Sequence, residues 1–125
     1  EPSMLSGIPD YFDQRHSTRI DNEVARDGGD RKNITVKNYK FNDIIKNTRI
    51  DLLDIDTEGS EYSIIMSIDF NKYDVGLMVV ENNFKDKGMR LKINELGKFR
   101  YIGSSGVNDF FANNSWEEFK NVTTI

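Results

Sequence analysis

The order of hydrophobic and polar residues predicts two neighbouring strands, each followed by a helix. Residues 50–55 form an apolar run interrupted only by acids, and residues 75–80 form a second run without any polar side chain. Unbroken runs of this kind are typical of strands that are covered on both faces, which are usually parallel. Because crossovers between parallel strands are right-handed, we expect these two strands to be parallel and adjacent.

Helical spacing follows both runs. Residues 60–68 and 89–96 each repeat apolar side chains at intervals of three or four, which lines one face of a helix. The expected buried face of the first helix consists of Tyr62, Ile65 and Ile68, or Ile64 in place of one of them. That of the second helix consists of Met89, Ile93 and Leu96, followed by Gly97 as the residue that ends it.

The segment before the first strand also carries regular patterns. A helix is predicted through about Arg26, and residues 33–39 alternate between apolar and polar side chains, which predicts a strand. A short helix over residues 41–46 follows, with Ile44 and Ile45 directed inward. These elements would precede the first apolar run directly in the chain.

The C-terminal part of the pattern predicts a hairpin. Residues 99–104 and 107–112 are strand-like runs on either side of a Gly-Ser-Ser-Gly turn. Beyond them, Trp116 and Phe119 are spaced to pack on one side of a short helix. The fold class that follows is α/β, with parallel strands and a terminal antiparallel hairpin.

Composition limits the classes of protein to which the chain can belong. Its 125 residues, 37% apolar and 30% charged, suit one soluble domain with a modest core. The net charge of −4 and the scattered basic residues argue against a nucleic-acid partner. No apolar run approaches the roughly 18 residues of a membrane span, and the absence of cysteine excludes disulfides and thiolate sites. The start shows no signal pattern, and we expect a cytoplasmic protein.

The candidate chemistry lies at the ends of the two predicted strands. Asp56 and Glu58 follow the first strand, while Glu81 and Asn82 follow the second. Parallel neighbours lie about 4.8 Å apart, so these side chains are expected to meet at one edge of the sheet. Such oxygen ligands suit magnesium or calcium, and crowded carboxylates also suit a general base. Alternatively the acids, Glu61 in particular, cap the following helices or are solvated.

Other motifs suggest different chemistry. The pattern Asp54-x-Asp56-x-Glu58-Gly59 begins like an EF-hand loop, but Ile65 stands where that loop needs a bidentate glutamate. The same acids after a strand are similar to those of haloacid dehalogenase-type phosphatases, which keeps a magnesium-dependent phosphatase as an alternative function. The single histidine, His16, lies beside Arg15 and either faces a substrate or is an ordinary surface residue.

Taken together, the chain resembles the FkbM family of S-adenosylmethionine-dependent methyltransferases. Residues 51–61 look like the family signature Ile-Asp-x-Glu-Gly-x-Glu. Corroborating segments are residues 6–8, 13–20, 67–73, 80–83 and 106–111. The resemblance implies the C-terminal half of a Rossmann-like methyltransferase sheet, to which this chain contributes the fourth, fifth, seventh and sixth strands.

The resemblance also implies an activity and a set of site residues. The expected reaction is O-methylation of a hydroxyl group on a sugar, glycan or natural product, with S-adenosylmethionine as cofactor. Asp56 and Glu58 are the expected catalytic residues, and Asp56 and Gly59 the expected cofactor contacts. The expected substrate contacts are Arg15, His16 and Glu61. A magnesium ion, if used, would be held by Asp56, Glu81 and Asn82.

The family's glycine-rich turn after its first strand, and the acid that ends its second, find no counterpart in this sequence. We therefore expect residues 1–125 to form one partial methyltransferase domain, doubtful as an enzyme alone. Residues 1–32 would be a substrate-side segment, and residues 33–125 the βαβ core with its hairpin. The strand at residues 50–55 would then have an open edge, which invites pairing with a missing N-terminal half or a second copy. A non-catalytic, homodimerising interaction module is thus a further alternative.

Overall fold

Eight short elements lie between Phe41 and Phe119 in the part of the chain that the structure describes. It is a computed structural model, and it describes residues 32–125 together with Asn22, Ala25, Arg26 and Gly28. The elements, in chain order, are helix α1 (Phe41–Ile44), β1 (Arg49–Ile55), α2 (Glu61–Ser67), β2 (Asp74–Glu81), α3 (Lys87–Glu95), β3 (Phe99–Ser105), β4 (Asn108–Asn113) and a 3-10 helix (Glu117–Phe119). Asn22, Ala25 and Arg26 are helical, as predicted. The other N-terminal predictions lie outside the described residues.

The four strands form one mixed sheet in the order β1-β2-β4-β3. β1 and β2 are parallel neighbours, and Ile55 is paired with Val80 at their carboxyl ends. β4 lies antiparallel between β2 and β3, which places Glu81 beside Asn108. The parallel pair, the hairpin and the α/β class are therefore confirmed.

The core lies between the sheet and its helices. Ile65 and Ile68 of the first crossover and Ile93 of α3 are buried against the sheet, and Ile64 packs at the edge of the core. The sequence left open whether Ile64 replaces one member of the predicted buried face. Tyr62 is 38% exposed, so Ile64 replaces Tyr62 in that face. Other buried core residues are Tyr73, Val75, Met78, Val80, Phe99 and Phe111. The described residues contain no helix that is long and apolar enough to cross a bilayer.

Helix α1 lies at the end of the sheet where β1 and β2 begin. The ring of Phe41 packs edge-on against Tyr73 with their centroids 5.0 Å apart. The hydroxyl of Tyr73, which directly precedes β2, donates to the carbonyl oxygen of Ile45 at 2.8 Å. Ile45 packs against the core as predicted, but Ile44 is 51% exposed and its predicted inward position is wrong; Phe41 and Ile45 make the core contacts of this short helix instead.

The strand predicted for residues 33–39 is absent from the structure. These residues have no regular secondary structure, and Ile34 and Val36 are 74% and 70% exposed. Alternation shows which face of a strand would be buried, but a strand also needs a neighbour for its N–H and C=O groups. Within the described residues this segment has no such neighbour.

β1 is an edge strand whose only neighbour among the described residues is β2. The prediction that residues 50–55 form a buried strand is correct only at its end: Ile55 is buried, whereas Leu52 is 56% exposed. By contrast, β2 has neighbours on both sides and is buried along most of its length, as its unbroken apolar run predicts. Among residues 32–125, no strand covers the other edge of β1, which agrees with the expected open edge.

Candidate functional site

Three carboxylates meet where β1 and β2 end, and we call Asp56, Glu58 and Glu81 the acid cluster. Asp56 follows the last residue of β1, and Glu81 is the last residue of the adjacent strand β2. One oxygen atom from each of the three carboxylates lies within 4.8 Å of the other two. The expectation that these acids share one edge of the sheet is therefore confirmed.

The turn after β1 carries Glu58 into the cluster. Glu58 adopts a left-handed conformation with φ 55°, which is uncommon for a residue with a side chain, and Gly59 follows with φ 116°. The buried carboxylate of Glu61 closes the turn: it accepts hydrogen bonds from the backbone N–H groups of Thr57 at 2.9 Å and Gly59 at 3.1 Å. Glu61 thus satisfies donors of the turn itself, which precede the helix, so these bonds differ from the helix capping that the sequence left open.

The cluster changes the proton affinity of Glu81. Burial, a hydrogen bond with Asp56, and the charges of Asp56 and Glu58 together raise the pKa of Glu81 from 4.5 to about 7, in that order of importance. The side-chain amide of Asn83 opposes this by donating to Glu81 at 2.7 Å. Glu81 can therefore accept or release a proton near neutral pH.

Asn82 does not turn its polar atoms to the acid cluster. Its amide nitrogen donates to Asp109 at 2.7 Å, and its oxygen accepts from the backbone N–H of Asp86 at 2.7 Å. The acids that the structure brings together are Asp56, Glu58 and Glu81, and the predicted ligand Asn82 is not among them. Divalent cations bind such carboxylate groups, and magnesium dependence stays a prediction.

A second polar centre, which sequence reasoning missed, lies beside the first. Asp109 is 1% exposed and accepts hydrogen bonds from Arg90 at 2.7 and 2.8 Å, Asn82 at 2.7 Å and Ser104 at 2.8 Å. We call these four residues the Asp109 network. Burial acts to raise the pKa of Asp109, but the hydrogen bonds from Arg90, Asn82 and Ser104 and the charge of Arg90 together lower it. The signal in the sequence that could have revealed this centre was an acid, Asp109, within a largely apolar predicted strand.

The Asp109 network fixes the surroundings of Glu81. Asp109 is paired with Val80 in the sheet, one residue before Glu81, and Asn82 follows Glu81 directly. The guanidinium of Arg90 also lies over the ring of Tyr101, 4.7 Å from its centroid. The end of β2, the start of α3 and the hairpin are thus joined by one set of charge-assisted hydrogen bonds.

The remaining predicted site residues have mixed outcomes. Arg15 and His16 lie outside the described residues, and their substrate contacts stay predictions. Gly59 lies in the turn beside the cluster, with its N–H directed to Glu61, and its cofactor contact is likewise still a prediction. The predicted contact between Glu61 and substrate is also untested.

A cavity of about 410 Å³ lies at the opposite end of the sheet. It is lined by Asp74 at the start of β2, by Phe99 at the start of β3 and by Asn113 at the end of β4, among others. In open α/β sheets, ligands bind outside the carboxyl ends of the parallel strands. We therefore assign the candidate site to the acid cluster and not to this cavity.

Comparison with known proteins supports one family. The sequence model of the Methyltransferase FkbM domain family matches residues 6–101, which include the acid cluster, the Asp109-binding Arg90 and the signature segment 51–61. Comparisons with curated proteins and with solved structures gave no significant match. Because the match spans most of the 125 residues, the chain belongs to the FkbM methyltransferase domain family.

Proposed function

We propose that the chain takes part in S-adenosylmethionine-dependent methylation of a hydroxyl group, with the acid cluster at the centre of the chemistry. The observation that carries the proposal is the pairing of Asp56 with Glu81, whose pKa is raised to about 7. A carboxylate with this pKa exists in both protonation states near neutral pH, as a general base requires. The family assignment supplies the class of reaction.

The charge of the cluster fits the cofactor. S-adenosylmethionine, when bound, supplies a methyl group that is already activated by a positively charged sulfur. The carboxylates of Asp56, Glu58 and Glu81 lie within 4.8 Å of one another and favour a positive charge beside them. Asp56 would also accept hydrogen bonds from hydroxyl groups of the cofactor or the acceptor. The other contacts of the cofactor come from residues outside the acid cluster.

The residues of the chain then act on the acceptor. Glu81, beside Asp56, would take the proton of the acceptor hydroxyl, while the cofactor would supply the methyl group and its sulfur would be the leaving group. Asp56 orients the hydroxyl for in-line attack, and much of the rate comes from this orientation. Sugars and other polyols suit a site made of acids, because their hydroxyl groups are hydrogen-bond donors.

The first test compares two forms of the cofactor by calorimetric titration. S-adenosylmethionine carries the positive sulfur and S-adenosylhomocysteine does not, so a cluster that faces the sulfur favours the former. We expect Glu81→Gln and Asp56→Asn to lower this preference about fivefold, the equivalent of roughly 1 kcal/mol. Glu95→Gln, which removes an exposed acid at the end of α3, is the matched control. An unchanged preference in the cluster variants would exclude the acids from the cofactor site.

Magnesium is tested separately. A divalent cation bridging Asp56, Glu58 and Glu81 would lower the pKa of Glu81 and raise the melting temperature, because the cation binds only the folded cluster. If added magnesium changes neither quantity, the metal is removed from the proposal, while the methyl-transfer role of the acids is unaffected.

A non-catalytic interaction module is the second candidate function. The observation in its favour is the open edge of β1, where Leu52 is 56% exposed. Chains that show no binding to either cofactor form, yet associate through this edge, would support it over the enzymatic role.

A further inference from the structure

Four polar side chains lie in a row across the end of the sheet where β1 and β2 finish. Glu81 is paired with Asn108, and the next strand places Ser105 beside Asn108. Asp56 lies on the other side of Glu81, in the acid cluster. We call Asp56, Glu81, Asn108 and Ser105 the polar row. The candidate site therefore continues from the acid cluster onto the hairpin.

The alternation of side chains along the strands sets the direction of the polar row. Val80 belongs to the core beneath the helices, and Asp109 is bound to Arg90 of α3. Successive side chains of a strand point to opposite faces. Glu81 and Asn108, the direct neighbours of Val80 and Asp109 in the chain, therefore point to the face opposite α2 and α3. Both side chains are half-buried there.

Asn108 adds a hydrogen-bond donor to a site that otherwise consists of acids. An ionised carboxylate only accepts hydrogen bonds, whereas an amide side chain both donates and accepts. The buried amides nearby are occupied: Asn82 donates to Asp109, and Asn113 donates to the carbonyl oxygen of Val75. The amide of Asn108 makes no hydrogen bond with any residue of the described part of the chain, and its polar atoms are not fully buried. This amide is thus available to a ligand.

Apolar side chains lie directly below the polar row on the same face. Phe110 follows Asn108 by two residues in β4 and is paired with Val79 of β2. Val79 is buried and Phe110 is half-buried. Ligand sites commonly combine an apolar or aromatic surface with a few placed polar groups. A saturated ring that carries hydroxyl groups at its rim and C–H groups on its face suits this combination.

Glu81 and Asn108 are close enough to hold neighbouring hydroxyl groups of one such ring. Residues directly opposite each other in an antiparallel pair have their Cβ atoms about 5 Å apart. The two oxygen atoms of a vicinal diol lie about 2.8 Å apart, similar to the length of a hydrogen bond between hydroxyl groups. One hydroxyl group can therefore meet the carboxylate of Glu81 while the next meets the amide of Asn108.

We propose that the acceptor is a cyclic polyol and that Asn108 binds it, by holding the hydroxyl group next to the one that loses its proton to Glu81. The inference rests on the proposed function for the identity of the reacting hydroxyl. The amide of Asn108 donates to the oxygen of the second hydroxyl or accepts its proton, while the face of the ring packs against Phe110. Because Asn108 is neutral, it orients the ring without adding charge to the acid cluster.

The test is a titration of the isotope-labelled 125-residue chain, followed by NMR, with two small probes. Vicinal cis-cyclohexanediol carries two neighbouring hydroxyl groups on a saturated ring, and cyclohexanol carries one. We expect the diol to bind about fivefold more tightly, the equivalent of one hydrogen bond, and to shift the side-chain amide signals of Asn108. Asn108→Ala should reduce this preference to less than about twofold. Asn94→Ala, which removes an exposed amide on α3, is the matched control and should keep it.

A second variant separates the lost amide from a change in packing. Asn108→Leu keeps a side chain of similar size without polar atoms, so it should lose the preference for the diol as Asn108→Ala does. Equal affinity of the wild type for the two probes, or a preference that the folded variants of Asn108 retain, would overturn the inference.

These outcomes are distinct from those of the calorimetric test of the proposed function. That test asks whether the acids favour the positive sulfur of the cofactor, and it does not depend on Asn108. Loss of the cofactor result with the diol preference intact would overturn the methylation step alone. Loss of the diol preference with the cofactor result intact would overturn the role of Asn108 alone.

Discussion

The Arg90–Asp109 pair offers the sharpest test of what holds the site in place. In the Arg90→Ala variant, Asp109 keeps its hydrogen bonds from Asn82 and Ser104 but loses two charge-assisted bonds, at 2.7 and 2.8 Å. In the wild type, Asp109 is 1% exposed. The variant therefore leaves a buried charge without its counter-ion.

The expected loss of stability follows from that burial. Removing one partner of a buried ion pair destabilises a protein by about 3–5 kcal/mol. The side chain of Arg90 is 19% exposed and two neutral donors to Asp109 remain, so we expect the lower end of this range. The free energy of unfolding should thus fall by about 3 kcal/mol at pH 7.

The deficit should also depend on pH. In the wild type, the pKa of Asp109 is lowered, so its contribution is present above the unfolded value of 3.8 and is lost as the pH falls through the folded value. Without Arg90, burial still acts to raise the pKa of Asp109 while two of the interactions that lower it are lost, so this pKa is higher in the variant than in the wild type. The difference between variant and wild type should therefore be smaller at pH 4 than at pH 7.

Urea unfolding followed by circular dichroism measures both effects. A deficit of about 3 kcal/mol lowers the midpoint by roughly 1–3 M, given typical urea slopes. Lys92→Ala, an exposed position on the same helix, is the control and should change stability by less than about 0.5 kcal/mol. A deficit for Arg90→Ala below about 1 kcal/mol, or one that is equal at pH 4 and pH 7, would refute the reasoning.

Three further predictions concern single contacts. Because the pKa of Glu81 rises from 4.5 to about 7 on folding, the wild type should lose stability as pH rises through that window. Glu81→Gln should remove this loss of stability. The prediction would be contradicted if the melting temperatures of the wild type and the variant changed with pH in parallel. Gly76→Ala places a Cβ 2.5 Å from the ring of Trp116 and should destabilise the fold by about 1–3 kcal/mol. Because Trp116 is the sole tryptophan, its fluorescence emission should shift to the red in this variant, and unchanged emission would count against the contact. Glu61→Ala leaves the donors of the turn unsatisfied and should lower the free energy of unfolding in urea by about 1–3 kcal/mol. Glu61→Gln keeps an acceptor oxygen and should lose less stability, so equal losses in the two variants would contradict this role of Glu61.

The hydrophobic pattern predicted most of the helices and strands, but not how many neighbours each strand has in the sheet. The run at residues 75–80 is buried because β2 lies inside the sheet, whereas the run at 50–55 is largely exposed because β1 lies at its edge. Both runs carry the same kind of signal. The number of neighbours that a strand has depends on the rest of the sheet, so it cannot be read from the strand itself. The same limit explains the missing strand at residues 33–39.

The sequence predicted the part of the candidate site that depends only on the order and direction of the strands. Asp56 and Glu81 follow two parallel adjacent strands, and that arrangement is sufficient to bring them together. The direction of the Asn82 side chain depends instead on Asp109, which lies 27 positions away, and no local pattern reports such a contact. The raised pKa of Glu81 is a further result of three-dimensional crowding, although the number of acids in the turn pointed to it.

The strand order has a consequence for the kinetics of folding. The β3–β4 hairpin closes a short loop, whereas β1 and β2 are joined across a whole crossover that pairs Arg49 with Asp74. Loop-closure entropy favours the hairpin as the first structure and the attachment of β1, whose one neighbour in the described part of the chain is β2, as the last. Amide hydrogens of β1 should accordingly exchange faster than those of β4. Since Asp56 follows β1, partly folded chains lack the assembled acids, and any chemistry at this site is confined to the fully folded molecule.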